Sequence, residues 1–306
     1  MEGSPWITQS KANHYEIIPM RIAVCLKQVS FLYARTGNRP DENFVAAHDI
    51  VRLNNPLDEV ALERAVQLSD AVGGEVWILS AGGEFFEKEA RRALAIGADT
   101  FVRLHDPEWG LMDARTTALV LSKAVRKLSA DIVLCGARSL DLAQGQVGCY
   151  LASNLDYPYL SSVVRMNVSQ HSKTMIVRRS LGRGRFQELE CTLPAVVAVE
   201  RTLCEPRYPS YREVLKAADK EIITWNGNEL GLEGSEVVPF LRLGRVTEPK
   251  PRPKWIPIPD SELPAVERIR LLLSRDDAQK KGTLLEEGPE DLARSMIQFL
   301  KDEGLL

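Results

Sequence analysis

From Arg21 onward, short apolar runs alternate with stretches in which apolar side chains recur every three or four residues. The runs at 22–26, 76–79, 101–104 and 131–135 are short and end in turn-forming or polar residues, which predicts buried strands. Between them lie three helical patterns. Residues 56–70 place Leu57, Ala61, Leu62, Ala65, Val66 and Ser69 on one stripe, put the acids Asp58 and Glu59 in the first turn, and stop at Gly73-Gly74. Residues 85–96 end at Gly97, and residues 113–128 turn Ala118, Leu121, Ala124, Val125 and Leu128 inward. Strand followed by helix, repeated, predicts an α/β fold: a doubly wound, mostly parallel, Rossmann-like sheet.

After Pro158 the pattern changes. The segments 163–168, 175–179 and 188–200 read as antiparallel strands that extend the main sheet or pack beside it. Residues 205–220 read as a polar loop and a short helix. From Trp225 the periodicity fades, and six prolines between Pro249 and Pro264 predict an extended arm. A closing helix at 289–300 spaces Leu292, Met296, Ile297 and Leu300 for docking. The expected division is an N-terminal extension at 1–19, an α/β domain at 20–224, and an arm with its helix at 225–306.

Composition narrows the class of function. With 306 residues, 44% hydrophobic, 26% charged and a net charge of −3, the chain is an ordinary globular protein without the basic face that phosphate backbones require, so no nucleic-acid partner is expected. The five cysteines, at 25, 135, 149, 191 and 204, form no C-x-x-C pair, and Cys25 and Cys135 read as small core hydrophobes of a reducing compartment. No metal site is signalled. Residues 1–19 hold no apolar leader segment, and no run approaches the roughly 20 apolar residues of a membrane span, so a cytoplasmic location is expected.

Familiar nucleotide motifs are missing. No G-x-G-x-x-G follows the first strand, and no G-x-x-x-x-G-K-[ST] occurs. "GRGR" at 182–185 lies between two strands and reads as a hairpin turn, while "SAGGE" at 80–84 resembles the loop of ATP pyrophosphatases only loosely. His14, His105 and His171 fall in segments that read as exposed, and His48 beside Asp49 reads as a surface pair, so hydrolytic catalysis is not indicated. What stands out is three loops at strand ends: 27–29, 55–58, and 136–148, "GARSLDLAQGQVG". Asn55 and Asp58 read as helix caps, but Asp141 and Gln146 add an acceptor and an amide where a ribose and an adenine edge could be held.

The blocks "NPLDEVALERAVQL", "RRALAIGAD", "GARSLDLAQGQVG" and "LPAVVAVERTLCEPRYPSYREVLKA" together make the chain, over about 20–222, similar to the beta subunit of electron transfer flavoproteins. That resemblance implies an adenine nucleotide alpha hydrolase-like fold and a heterodimer with an alpha subunit that carries the redox FAD. It also implies that the beta subunit binds an adenine nucleotide, AMP or, in bifurcating members, a second FAD. Carried over by position, the nucleotide-binding residues are Cys25, Lys27, Asn55, Pro56, Leu57, Asp58, Ala81, Gly136, Ala137, Arg138, Ser139, Asp141, Gln146, Val147 and Gly148. Gln146-Val147-Gly148 is similar to the FAD-binding, bifurcating branch, which would take electrons from NADH or another donor. Leu142-Ala143-Gln144, however, departs from the acidic run common there.

Residues 207–221 match the family's recognition loop, with Tyr211, Leu215 and Lys216 expected to dock a redox partner similar to acyl-CoA dehydrogenases or quinone oxidoreductases. Tyr211 takes the place of the family's leucine anchor and also reads as an exposed turn residue. Two further readings stand beside this one. The first is a stand-alone adenine-nucleotide sensor or ligase of the same fold. The second is a beta subunit whose nucleotide only stabilises it.

Overall fold

In the computed structural model, residues 20–32, 50–82, 85–169, 173–241, 263–273 and 288–302 are described. The chain forms two compact units, 1–243 and 244–306. In the first, a nine-stranded sheet is built from β1 (Met20–Cys25), β4 (Gly74–Ala81), β5 (Thr100–Leu104), β6 (Ile132–Gly136), β7 (Tyr159–Ser169), β8 (Thr174–Gly182), β9 (Arg185–Thr192), β10 (Ala195–Val199) and β11 (Ile222–Trp225). Their order is β11-β5-β4-β1-β6-β10-β7-β8-β9. All neighbours are parallel except β7–β8 and β8–β9.

Helices cover both faces. On one side α1 (Pro56–Val72) and α2 (Glu87–Ile96) bury Leu62, Ala65, Ala93 and Leu94 against Ile22, Val24, Ile78 and Ile132. On the other, α3 (Ala114–Leu128) and α4 (Val147–Leu155) bury Leu121, Val125 and Leu151 against Ala23, Leu79 and Val133. Successive residues of one strand thus serve two cores, which is why the central strands are apolar throughout. The four strands and three helices expected from 22 to 135 are present, with ends displaced by one or two residues. Asp113 caps α3, accepting from the Thr116 amide at 2.9 Å, and its second oxygen accepts from Phe240 and Leu241. "GRGR" is a hairpin turn, with Arg183 and Gly184 at φ 51° and 72° as a two-residue primed turn requires.

Three expectations are corrected. Residues 27–29 are not all loop: Gln28 and Val29 open β2 (Gln28–Leu32), which pairs antiparallel with β3 (Ile50–Asn54) in a separate two-stranded ribbon. The segment 188–200 is not one antiparallel strand. Pro194, which has no N–H to give a ladder, separates edge strand β9 from β10, and β10 inserts parallel between β6 and β7 with all five residues buried. The stretch from Trp225 does not begin as an arm: Trp225, Leu230, Leu232 and Val237 are buried in the core beside α3, around a short α6 (Gly227–Leu230). The prolines from 249 to 259 lie outside the described residues.

Between β10 and β11, α5 (Tyr211–Asp219) is closed at its start by a reciprocal Ser210–Glu213 capping box. The second unit contains α7 (Ala265–Leu273) and α8 (Pro289–Asp302). Along α8, Met296, Ile297 and Phe299 are exposed.

Candidate functional site

From β1 the chain builds β4 and β5 outward on one side, then returns to lay β6 on the other. That reversal opens a crevice beyond the carboxyl ends of β1 and β6, the place where open α/β sheets take ligands. Cys25 and Cys135 are paired neighbours at these ends, with Lys27, Gly136 and Ala137 just beyond them and Ala81 at the end of adjacent β4. Twelve of the fifteen expected nucleotide residues lie in the loops and first helical turns here, and Cys25, Ala81 and Gly136 end their strands.

Asn55 and Asp58 do more than cap. Asp58, 5% exposed, accepts the Lys27 amide through one carboxylate oxygen and the Gly136 amide through the other, each at 2.8 Å. It therefore ties the end of β1 to the end of β6. Asn55, 2% exposed, makes no side-chain cap bond. Its amide donates to the Arg138 carbonyl at 3.1 Å, and its oxygen accepts from the Leu140 amide at 3.0 Å. Its own backbone amide donates to the Lys27 carbonyl at 2.8 Å. One helix start thus fixes both loops, because buried amides and carbonyls must find partners.

Glycine is required at 136. A Cβ there would stand 2.5 Å from Asp58 Oδ1 and 2.7 Å from Leu57 Cβ. Pro56 occupies the first turn of α1, where its missing N–H costs nothing. Further along, Ala143 and Gly145 take φ of 52° and 62°, folding the exposed loop back toward Ala137. Lys27 Nζ reaches across to both oxygens of Asp141, at 2.6 and 2.9 Å. Burial raises the Asp141 carboxyl, but bonds from Lys27, Ser139 and the Leu142 amide outweigh it and leave the group below its ordinary value. Arg138 stays mostly exposed, 3.7 Å from Glu200. Gln146 leads into α4 without a side-chain cap, Val147 opens the helix, and Gly148 packs against Cys135 and Tyr159. The first α4 amides therefore remain free for an anion.

The Asp58 carboxyl is pushed up to about 6 by burial, with the Lys27 and Gly136 amides and Asn55 pulling back. An acid whose folded value lies above its unfolded value near 4 holds its proton longer in the folded chain. Its stabilising contribution is full below pH 4 and is lost as pH rises from 4 through 6. The wild-type advantage over Asp58→Asn should therefore shrink between pH 4 and 6, by on the order of 1–3 kcal/mol in urea unfolding.

Burial also raises the Cys135 thiol to about 12 and lifts Cys25 well above its ordinary value, so neither is a nucleophile at neutral pH. His105 is half-buried, and burial lowers its value first, then Arg103. His14, His48 and His171 lie outside the described residues, as do Gly83 and Glu84 of "SAGGE". Among the described residues no group of three or more His, Cys, Asp or Glu side chains is placed to hold a metal. A depression of about 480 Å³ beyond the end of β5 is lined by Asp106, Glu108 and Glu233, an acidic set unsuited to a phosphate.

The stretch before α5 is anchored from below. Arg207 grips the buried carboxylate of Glu63 on α1 through Nε at 2.8 Å and Nη2 at 3.0 Å, and Gln67 donates to the same carboxylate. Arg91 of α2 donates to the carbonyls of Ala217, Ala218 and Lys220 at the end of α5. Between these anchors Tyr208, Tyr211 and Leu215 are 91%, 78% and 53% exposed, and Lys216 is exposed beside them. Glu63 was not among the residues singled out from sequence, and Leu140 entered only as a member of the 136–148 loop. Glu63, an acid one turn on from Glu59 in an apolar stripe, carried a visible sign.

Fold and rim define an open α/β protein with a ligand crevice at its switch point and a separately braced, exposed helix. The electron transfer flavoprotein domain family matches residues 43–230. The electron transfer flavoprotein subunit beta of Thermoanaerobacterium thermosaccharolyticum is 34% identical over 233 residues, 71% of this chain and 85% of that protein. The FixA protein of Sinorhizobium fredii is 33% identical over 70% of this chain and 76% of its own. The subunit beta of Bacillus subtilis is 28% identical over 82% and 86%. The chain belongs to the electron transfer flavoprotein family, among its beta-subunit and FixA members. Among the described residues no helix is long and apolar enough to cross a membrane.

Proposed function

We propose that the chain is the beta subunit of a heterodimeric electron transfer flavoprotein of the cytoplasm, and that it holds an adenine nucleotide in the β1–β6 crevice. The supporting observation is the Asn55–Asp58 clamp, which fixes the Lys27, Gly136 and Leu140 amides around an uncapped helix start at the switch point. Such a rim suits an adenosine phosphate. The α4 amides and Arg138 would face the phosphates, while Asp141 and Gln146 would face the ribose and base. When bound, a flavin supplies the one- and two-electron chemistry. This chain's residues bind it, orient it and present the assembly to a partner.

On this reading the alpha subunit carries one FAD, and the nucleotide here is AMP or a second FAD. FAD in the beta subunit would make NADH-linked bifurcation the working mechanism, with electrons divided between two acceptors. AMP would make the subunit a simple carrier between a dehydrogenase and an acceptor. Co-expression with an alpha-type subunit, acid release and chromatography separate these: two FAD per heterodimer, or one FAD and one AMP. No heterodimer and no nucleotide would overturn the reading.

The exposed face of α5 is the docking element for a redox partner similar to acyl-CoA dehydrogenases or quinone oxidoreductases. Tyr211 supplies an aromatic anchor, Leu215 an apolar contact one turn on, and Lys216 a charge at the edge. Tyr211→Ala is expected to weaken electron exchange with that partner about tenfold or more, with nucleotide content and unfolding midpoint unchanged. Stopped-flow reduction at varied partner concentration checks it.

A further inference from the structure

Lys27 and Asp141 stand on the two loops that leave β1 and β6, and their side chains meet between those loops. The Lys27 ammonium lies 2.9 and 2.6 Å from the two Asp141 oxygens. Both roots of the pair are fixed by one clamp. Asp58 holds the Lys27 amide and Asn55 its carbonyl, while Asn55 also holds the Arg138 carbonyl and the amide of Leu140, the residue before Asp141. The backbones can therefore stay in place while the two side chains part.

The pair occupies the groups that a nucleotide needs. Asp141 Oδ1 accepts from Lys27 and, at 2.7 Å, from the Leu142 amide; Oδ2 accepts from Lys27, and the Ser139 side chain bonds the same carboxylate. A carboxylate engaged on both oxygens has little capacity left for a ribose diol, which arrives with two donors. Lys27 and Arg138 are the two cations of the crevice loops, and the counter-ion of Arg138, Glu200, lies outside them. Splitting Lys27 from Asp141 thus frees one charge of each sign in the crevice at the same moment. The side chains are 42% and 26% exposed, and a pair so open to water is weak. Gly145 approaches the Ala137 carbonyl, so the loop returns the uncapped start of α4 to its own root.

We propose that nucleotide entry splits this pair, the Lys27 ammonium passing to a phosphate and the Asp141 carboxylate to the ribose hydroxyls. Lys27 is then a specificity-determining residue: a ligand without a phosphate takes its carboxylate and offers its charge nothing in return. This rests on the reading that the crevice holds an adenine nucleotide.

The test titrates the full chain, stripped of nucleotide, with adenosine, AMP and FAD. Wild type, Lys27→Met and Asp141→Asn are compared, with unfolding midpoints measured alongside. Lys27→Met is expected to weaken AMP about tenfold, the loss of one charged contact. It should tighten adenosine about threefold, because the carboxylate no longer has to be freed from an ammonium. Asp141→Asn should weaken adenosine about tenfold but AMP only about threefold, since the released ammonium offsets part of the lost ribose contact. FAD, which carries two phosphates, should follow AMP. Where one variant does not fold, the other decides, because each separates adenosine from AMP. Equal losses for adenosine and AMP would make the pair a fixed brace, and unchanged affinities would place it outside the ligand's reach. Either result overturns the proposal and leaves the crevice reading intact. Failure of the wild-type chain to bind any of the three would overturn both.

Discussion

Gly136→Val is expected to lower stability by about 3 kcal/mol and to abolish nucleotide retention. The position has no room for any side chain: even a single Cβ would meet Asp58 Oδ1 at 2.5 Å, Leu57 Cβ at 2.7 Å and the Leu57 backbone at 3.0 Å. None of these can retreat, because Asp58 is buried and pinned by the Lys27 and Gly136 amides, and Leu57 lies in the first turn of α1. Overpacking a closed site costs about 1–3 kcal/mol, and displacing Asp58 leaves buried amides without an acceptor, each costing a further ~1–3 kcal/mol if unrelieved. Relaxation of the exposed loop offsets part of that sum. Gly182→Ala is the control, since nothing lies within 4 Å of its Cβ. It should cost about 1 kcal/mol for its left-handed backbone and leave nucleotide content unchanged.

The second large effect is expected at Arg207, which grips α1 rather than the crevice loops. Arg207→Ala leaves the Glu63 carboxylate, 4% exposed, with Gln67 as its remaining side-chain donor. Stranding one partner of a buried ion pair costs about 3–5 kcal/mol. The Arg207 side chain is itself 37% exposed, so water can partly replace it, and a value near 3 kcal/mol is expected. Removing the charge as well, in Glu63→Gln with Arg207→Ala, should restore much of the loss. A double-mutant cycle in urea then reads the coupling directly. Arg207 also fixes the start of the segment that presents Tyr211, so the single variant should lose partner electron exchange even where it remains folded.

The four strands between 22 and 135 were legible because strands covered by helices on both faces must be apolar along their whole length, and 22–26 or 131–135 resemble little else. The ribbon was not, because β2 and β3 carry Gln28, Ser30, Arg52 and Asn54 among their apolar residues and pair across a long insertion. At 188–200 the alternation of an edge strand ran directly into the apolar run of a central one, and the only local sign of the break was Pro194. The crevice loops were found by strand-end logic and by resemblance, but their wiring was hidden. Asn55 and Asp58 have the chemistry of ordinary helix caps, and nothing local reveals that their side chains reach residues 78 to 85 positions away.

The most direct test of the account is where the nucleotide sits. The heterodimer, stripped and reloaded with an azido-adenine nucleotide, is illuminated, digested and mapped by mass spectrometry, with AMP and FAD as competitors. The account predicts competitor-sensitive labelling within 136–148 or 55–58. Labelling confined to the 173–192 strands or to 288–302, or labelling indifferent to both competitors, would contradict it.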